Sequence, residues 1–165
     1  MSLFTRMAAT LSVAASFIGL VGLAPQASAA EPSDGTHCAV VVERVKPGEK
    51  FSRVKSRTCS DTGTAAAALS GRTLLVTWYE HAEYGGASTD VYGDYGPCDA
   101  AGYVLTAGVW WRDQISSFIT YNNCDGQQAV LNNGGAVYYY GFGTPNVGGQ
   151  ANDNIGWLKV WDALY

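Results

Sequence analysis

Trp78-Tyr79-Glu80-His81-Ala82-Glu83-Tyr84-Gly85-Gly86-Ala87-Ser88 ends an alternating apolar run and breaks into Gly-Gly. It carries two tyrosines five residues apart and a glycine two residues after the second. A plain extended strand has no need of that spacing. A strand that folds back over itself does: Tyr84 lays its ring on Tyr79, and Gly86 takes a positive φ that a side chain would forbid. The stretch predicts a folded-over β-hairpin.

From Arg72 onward the whole chain has this texture. Short runs rich in Val, Tyr, Trp and Thr lie at 73–79, 88–92, 117–121, 128–131, 136–140 and 157–161, separated by Gly, Asn and Asp clusters. No long 3.6-residue period appears, so the pattern predicts an all-β sandwich or barrel. A second hairpin is expected upstream. Cys38 to Val45 is rich in β-branched residues, Pro47-Gly48 is a turn pair, and Phe51 to Thr58 returns toward Cys59. The Ala/Thr/Gly/Ser-rich stretch 60–71 reads as a linker, or as one helical turn at 65–69.

The N-terminal segment 1–30 reads as a secretory signal peptide. Arg6 supplies the positive region, Met7 to Leu23 the apolar core, and Ala27-Ser28-Ala29 a small-residue cleavage site. The apolar stretch is too short and too rich in small residues to favour a spanning helix. The expected division is a signal at 1–30, a basic hairpin and linker at 31–71, and a β-domain at 72–165, in a secreted protein. Cys38, Cys59, Cys98 and Cys124 all follow the signal, which implies oxidised pairs. Four cysteines allow three connectivities. Cys38–Cys59 and Cys98–Cys124 are favoured because each closes a loop of about 20–26 residues, contributing roughly 3 kcal/mol. Zinc is disfavoured: there is no close CxxC pair, and His37 and His81 sit at no ligand-like spacing.

The chain carries 10 bases and 14 acids. Arg44, Lys46, Lys50, Arg53, Lys55 and Arg57 crowd one segment. That segment reads either as a solvated hairpin face complementing an acidic body or as a patch for an anionic surface or polymer. Only Phe51 interrupts it with an aromatic, which argues against nucleic-acid stacking. Trp110-Trp111 and Tyr138-Tyr139-Tyr140 invite a polysaccharide-binding reading, although neighbours on a strand face opposite sides, so at least one of each set belongs to the core. An enzyme has little to stand on. His81 lies beside Glu80 and Glu83 with no G-x-S-x-G elbow, and Glu80 with Asp113 has no spacing that marks a glycosidase pair.

An internal repeat ties these observations together. Arg112-Asp113-Gln114-Ile115-Ser116-Ser117 aligns with Asn152-Asp153-Asn154-Ile155-Gly156-Trp157, each copy just ahead of a strand-like run. With Tyr79-Glu80, Tyr84, Gly86 and Ser88, these loops resemble the βγ-crystallin family from about Arg72 to Tyr165. The resemblance implies a Greek-key β-sandwich of two four-stranded motifs, here with an N-terminal disulfide-closed hairpin extension. No clear second copy of the Tyr-Glu hairpin appears between Gln127 and Gly149, so the second motif is expected to be degenerate or shortened. In microbial members the resemblance also implies one Ca²⁺ site per motif, the two loops lending ligands to each other's site. Carried over, the candidate ligands are Asp113 and Ser116 with the Gln114 carbonyl, and Asn152 and Asp153 with the Asn154 carbonyl, Glu80 adding a further main-chain oxygen. Both loops depart from the pattern. Arg112 takes the first acidic or amide position, Gly156 replaces the Ser/Thr ligand, and Trp157 replaces the last Ser. The alternative role for the same residues is turn formation, with Ile115 and Ile155 plugging the core. The function expected is a secreted, non-enzymatic structural or binding module with weak or vestigial Ca²⁺ sites. The alternative is a secreted peptidase inhibitor or killer-toxin-like protein, presenting an exposed loop at Gly93–Gly108.

Overall fold

The computed structural model describes residues 36–61, 69 and 71–164. The predicted signal at 1–30 and nearly all of the suggested turn at 65–69 lie outside them. Ten strands form two sheets: β1 (His37–Val42), β2 (Val54–Ser60), β3 (Thr73–His81), β4 (Gly85–Gly93), β5 (Tyr103–Thr106), β6 (Ser117–Thr120), β7 (Gly126–Leu131), β8 (Ala136–Tyr140), β9 (Gly143–Thr144) and β10 (Ile155–Trp161). A single helical turn, α1 (Gly108–Trp111), precedes β6. One sheet runs β2-β1-β4-β3-β6-β9, the other β5-β10-β7-β8.

The order resolves into two equivalent units. In β3–β6 the first strand pairs antiparallel with the second and with the fourth. In β7–β10 the same pairings recur. In each unit the third strand crosses over: β5 pairs with β10, and β9 pairs with β6. This is the Greek-key sandwich of βγ-crystallin type. The second unit is complete. It escaped the sequence reading because its first two strands are joined by a tight turn at 132–135, with Leu131 N–H bonded to the Gly135 carbonyl, and not by a fold-over. The segment Gly93–Gly108, expected as an exposed loop, is exposed only in part, as at Tyr95. It contains β5, whose Tyr103 and Leu105 are fully buried, and it is anchored by buried Cys98. The Tyr-x-Leu alternation buries one face of this short exchanged strand against the core.

The N-terminal hairpin is part of the sandwich. β1 and β2 pair antiparallel with Cys38 opposite Cys59, and β1 runs parallel to β4 with Val40 opposite Val91. β1 is covered on both faces: Ala39 and Val41 are buried on one, and Val42 joins the inter-sheet core on the other. Disulfides join Cys38 to Cys59 and Cys98 to Cys124. Between the sheets, Val76, Trp78 and Phe118 pack toward Leu105, Ala129, Ile155 and Leu158 in one apolar cluster. Ile115 and Ile155, at matching positions of the two repeats, are fully buried and plug its ends.

Tyr139 shows how the three consecutive tyrosines divide. Its ring packs edge-on to Phe118 at 5.3 Å, and its hydroxyl donates to the Val147 carbonyl at 2.7 Å. Tyr138 and Tyr140 project outward, 54% and 72% exposed. Burial pushes the Tyr139 phenol up to about 12 from its ordinary 10.0. The unfolded chain therefore loses this proton near pH 10 while the fold keeps it, and stability contributed below pH 10 falls as pH climbs from 10 toward 12. Urea midpoints measured from pH 9 to 11.5 should decline, and Tyr139→Phe should flatten the decline.

Candidate functional site

The folded-over hairpin has the predicted form. The Tyr84 ring meets Tyr79 edge-on at 5.6 Å, and Gly86 adopts φ +76°. A side chain at Gly86 would collide with His81 and Glu80. The Glu80 carboxylate spans the fold by accepting from the Ala87 N–H at 3.2 Å. Glu83 and Tyr84 themselves take left-handed conformations, φ 58° and 63°, which nothing in their side chains advertises. Buried Ser117 compensates. Its hydroxyl donates to the His81 carbonyl at 2.6 Å and accepts from the Tyr84 N–H at 3.1 Å. The last serine of the first repeat loop thus fastens the hairpin.

That fastening brings the first loop under the hairpin, where Ser116 N–H bonds the Tyr79 carbonyl at 3.0 Å. The second loop arrives from the other unit. Asp153, at φ 54°, donates its N–H to the Ile115 carbonyl at 3.3 Å, and its carboxylate accepts from the Ser116 hydroxyl at 3.2 Å. The other Asp153 oxygen accepts from the Asn152 amide at 2.6 Å. Ser116 and Asp153 therefore meet, each from a different repeat, with the Tyr79 and Ile115 carbonyls bonded to their N–H groups. One carboxylate, one hydroxyl and turn carbonyls suit a hard cation better than a soft one. Among the described residues no three His, Cys, Asp or Glu side chains gather into a metal cluster.

The reciprocal position is built differently. Asp113 accepts at 2.8 Å from the side-chain amide of Asn132, which also reaches the Arg112 carbonyl at 3.4 Å. Asn132 is held there by its own N–H, bonded to the Asn154 carbonyl at 2.9 Å. A Cβ at Gly156 would come within 2.9 Å of the Asn132 side-chain oxygen. Where the first site has Ser116, the second has Gly156, and an N–H donor points at the carboxylate. The Asn152 amide meets the Asp153 carboxylate in the same way, so what separates the two positions is the Ser116 hydroxyl, for which Gly156 offers no counterpart. Asn132 was missed in the sequence because it lies in the turn between β7 and β8, remote along the chain from Asp113. The one signal was Gly156 in place of a hydroxyl residue.

The remaining candidates disperse. His37 bonds the Ser88 hydroxyl at 2.6 Å at the start of β1, and His81 is exposed at the end of β3. Glu80 and Asp113 serve different partners, the Ala87 N–H and Asn132. Of the crowded bases, Arg44 pairs with Asp99, Lys46 with Glu43, Arg53 with Glu49 and Lys55 with Asp94. Lys50 lies over the Phe51 ring at 5.2 Å. Two of these pairs reach acids of the sandwich, which supports the reading of a complementing face. The side chain of Trp110 lies outside the described residues. Trp111 is buried beside Trp78, ring centres 6.3 Å apart. Among the described residues no helix is long and apolar enough to cross a membrane.

No protein-family model matches the chain, and no curated protein does. Two solved structures are similar to part of it, both variants of a betagamma-crystallin domain from Clostridium beijerinckii. A tryptophan-to-aspartate variant is 24% identical, covering 54% of this chain and 99% of that one at a TM-score of 0.41. A double threonine-to-serine variant is 26% identical, covering 55% and 100% at a TM-score of 0.42. The architecture itself, two units that exchange their third strands and oppose their repeat loops, is that of a βγ-crystallin-type Greek-key module.

Proposed function

We propose that this chain is a secreted, disulfide-stabilised, non-enzymatic binding module that takes one Ca²⁺ weakly between its two repeat loops. The observation that carries the reading is the meeting of Ser116 and Asp153, contributed by different units, at 3.2 Å. Ser116 and Asp153 would hold the ion, with the carbonyls of Gln114 and Glu80, and bound Ca²⁺ would supply a charge that pins the two loops together. A single carboxylate argues for a dissociation constant on the order of 10⁻⁴–10⁻³ M, as in other extracellular modules. Two disulfides fit an oxidising compartment outside the cytosol.

Calorimetric titration should give one ion per chain. At ten times the dissociation constant, melting should shift upward by an amount equivalent to about 1.4 kcal/mol. Asp153→Asn should abolish both signals, whereas Asp113→Asn should leave the stoichiometry at one. No heat and no melting shift at several millimolar Ca²⁺ would remove the proposal, and a stoichiometry of two would overturn the assignment of the Asn132 side.

A further inference from the structure

The six-stranded sheet has two strands more than the four-stranded sheet, and residues of β1, β2 and β4 share a cavity with β5, the edge strand of the smaller sheet. The segment after β1 closes one side of it: Ser52 N–H bonds the Val104 carbonyl at 2.8 Å, and Ser52 Oγ accepts from Val104 N–H at 3.2 Å. Gly108 and Trp111 of α1 line the other side. The space left between them is a cavity of about 110 Å³, walled by Val40, Val42, Val91 and Leu105, with Val54 also lining it. Val54, on the outermost strand, is 49% exposed and sits at its mouth.

Ser52, Arg57 and Thr106 also line it, and two further polar side chains stand in the wall. Trp78 and Thr89 stand opposite each other on β3 and β4 and are only 3% and 1% exposed. Among the described residues, Trp78 Nε1 and Thr89 Oγ1 are both buried without a hydrogen-bond partner. A polar group desolvated and left unmet is costly, and native folds seldom keep two side by side. An indole N–H donates only, so its missing partner is an acceptor. An apolar cavity of about 150 Å³ takes up benzene, which sets the scale of an occupant here.

We propose that this cavity binds a compact apolar molecule of roughly benzene size that carries one carbonyl group. The hydrocarbon part fills the valine and leucine walls, and the carbonyl oxygen, with two lone pairs, accepts from Trp78 Nε1 and Thr89 Oγ1 together. The site owes nothing to the repeat loops and stands whether or not they bind Ca²⁺.

The test uses the full chain with both disulfides intact and ¹⁵N-labelled tryptophan, the Trp78 indole signal being assigned with Trp78→Phe. Cyclohexanone and benzene serve as probes. Cyclohexanone should shift the Trp78 N–H signal saturably, at a concentration about tenfold below that at which benzene saturates, one hydrogen bond's worth of discrimination. Thr89→Val should narrow that ratio, and Val54→Trp, at the half-exposed mouth, should abolish binding of both probes with an unchanged circular dichroism spectrum. Three results would overturn the proposal: no saturable shift, as when the groups are met by water only; equal affinity for the two probes; or cyclohexanone binding that persists unchanged in Val54→Trp.

Discussion

Replacing Cys98 and Cys124 together by alanine lowers stability by about 3–4 kcal/mol in equilibrium urea unfolding with intact Cys38–Cys59. The two cysteines are separated by 26 positions, and loss of chain entropy in the unfolded state accounts for about 3.5 kcal/mol at that loop length. That loop holds β5, α1 and β6, so it contains a full passage from one sheet to the other and back. Both sulfur-bearing residues are buried, Cys98 at 3% and Cys124 at 0%, and Cys98 N–H bonds the Asn122 carbonyl at 2.9 Å. Truncation therefore adds a packing defect to the entropic loss. The urea slope should rise as well, because the unbridged denatured chain exposes more surface. Removing Cys38–Cys59, whose cysteines are 21 positions apart, should cost about 3 kcal/mol by the same loop-entropy argument. A loss below about 1 kcal/mol for the Cys98–Cys124 pair, with no change of slope, would contradict this assignment.

Gly102→Ala should cost at least about 3 kcal/mol, from two sources that a second variant separates. Gly102 has φ +65°, where an alanine costs about 1–2 kcal/mol. A Cβ there would also strike the Val160 carbonyl and the Trp161 backbone and Cβ, adding an overpacking cost of about 1–3 kcal/mol. Gly148 has φ +80° but open space around its would-be Cβ, so Gly148→Ala should show the conformational cost alone. Gly102 is also the hub of a turn. Its N–H and that of Ala101 bond the Asp99 carboxylate at 3.0 and 3.1 Å, and Asp162 N–H bonds the Asp99 carbonyl at 2.9 Å. The Gly102 N–H, followed by the charge of Arg44, holds the Asp99 carboxyl below its usual range. That stabilisation is present above the ordinary carboxylate pKa and fades as pH falls through the lowered one, so the deficit of Gly102→Ala should shrink in acid. A loss no larger than that of Gly148→Ala would show that the β10 backbone yields freely.

How much of this was legible in the sequence depends on whether the information is local. The Tyr79, Tyr84 and Gly86 fold-over was legible because ring contact and positive φ are both encoded within one short stretch. The pairing of cysteines followed from loop length. The Asp-x-Ile repeat marked two loops, and the burial of Ile115 and Ile155 explains why that spacing recurs. What stayed hidden depends on distant partners. β9 consists of Gly143 and Thr144 alone, and is a strand only because Phe118 and Ile119 lie opposite. β5 looked like part of an exposed loop because its partner, β10, comes only at the end of the chain. The docking of β1 needed a parallel partner, β4, that lies beyond both β2 and β3. At the site, Ser116 and Asp153 were both named from sequence, but the contact of the Asn132 amide with Asp113 required the turn to be seen against the loop.

The exchange of third strands has a consequence for how the molecule comes into being. Neither four-stranded unit can complete its own sheet: the first needs β9 from late in the chain, and the second needs β5 from the middle. Half a chain emerging from a pore or a ribosome therefore has an open sheet edge and no stable resting state. Ordering must wait until β10 has arrived, so assembly is slow and single-step, as expected where pairings are long-range. The two halves behave as clasped hands, and the fold gains from this a state that is left only all at once.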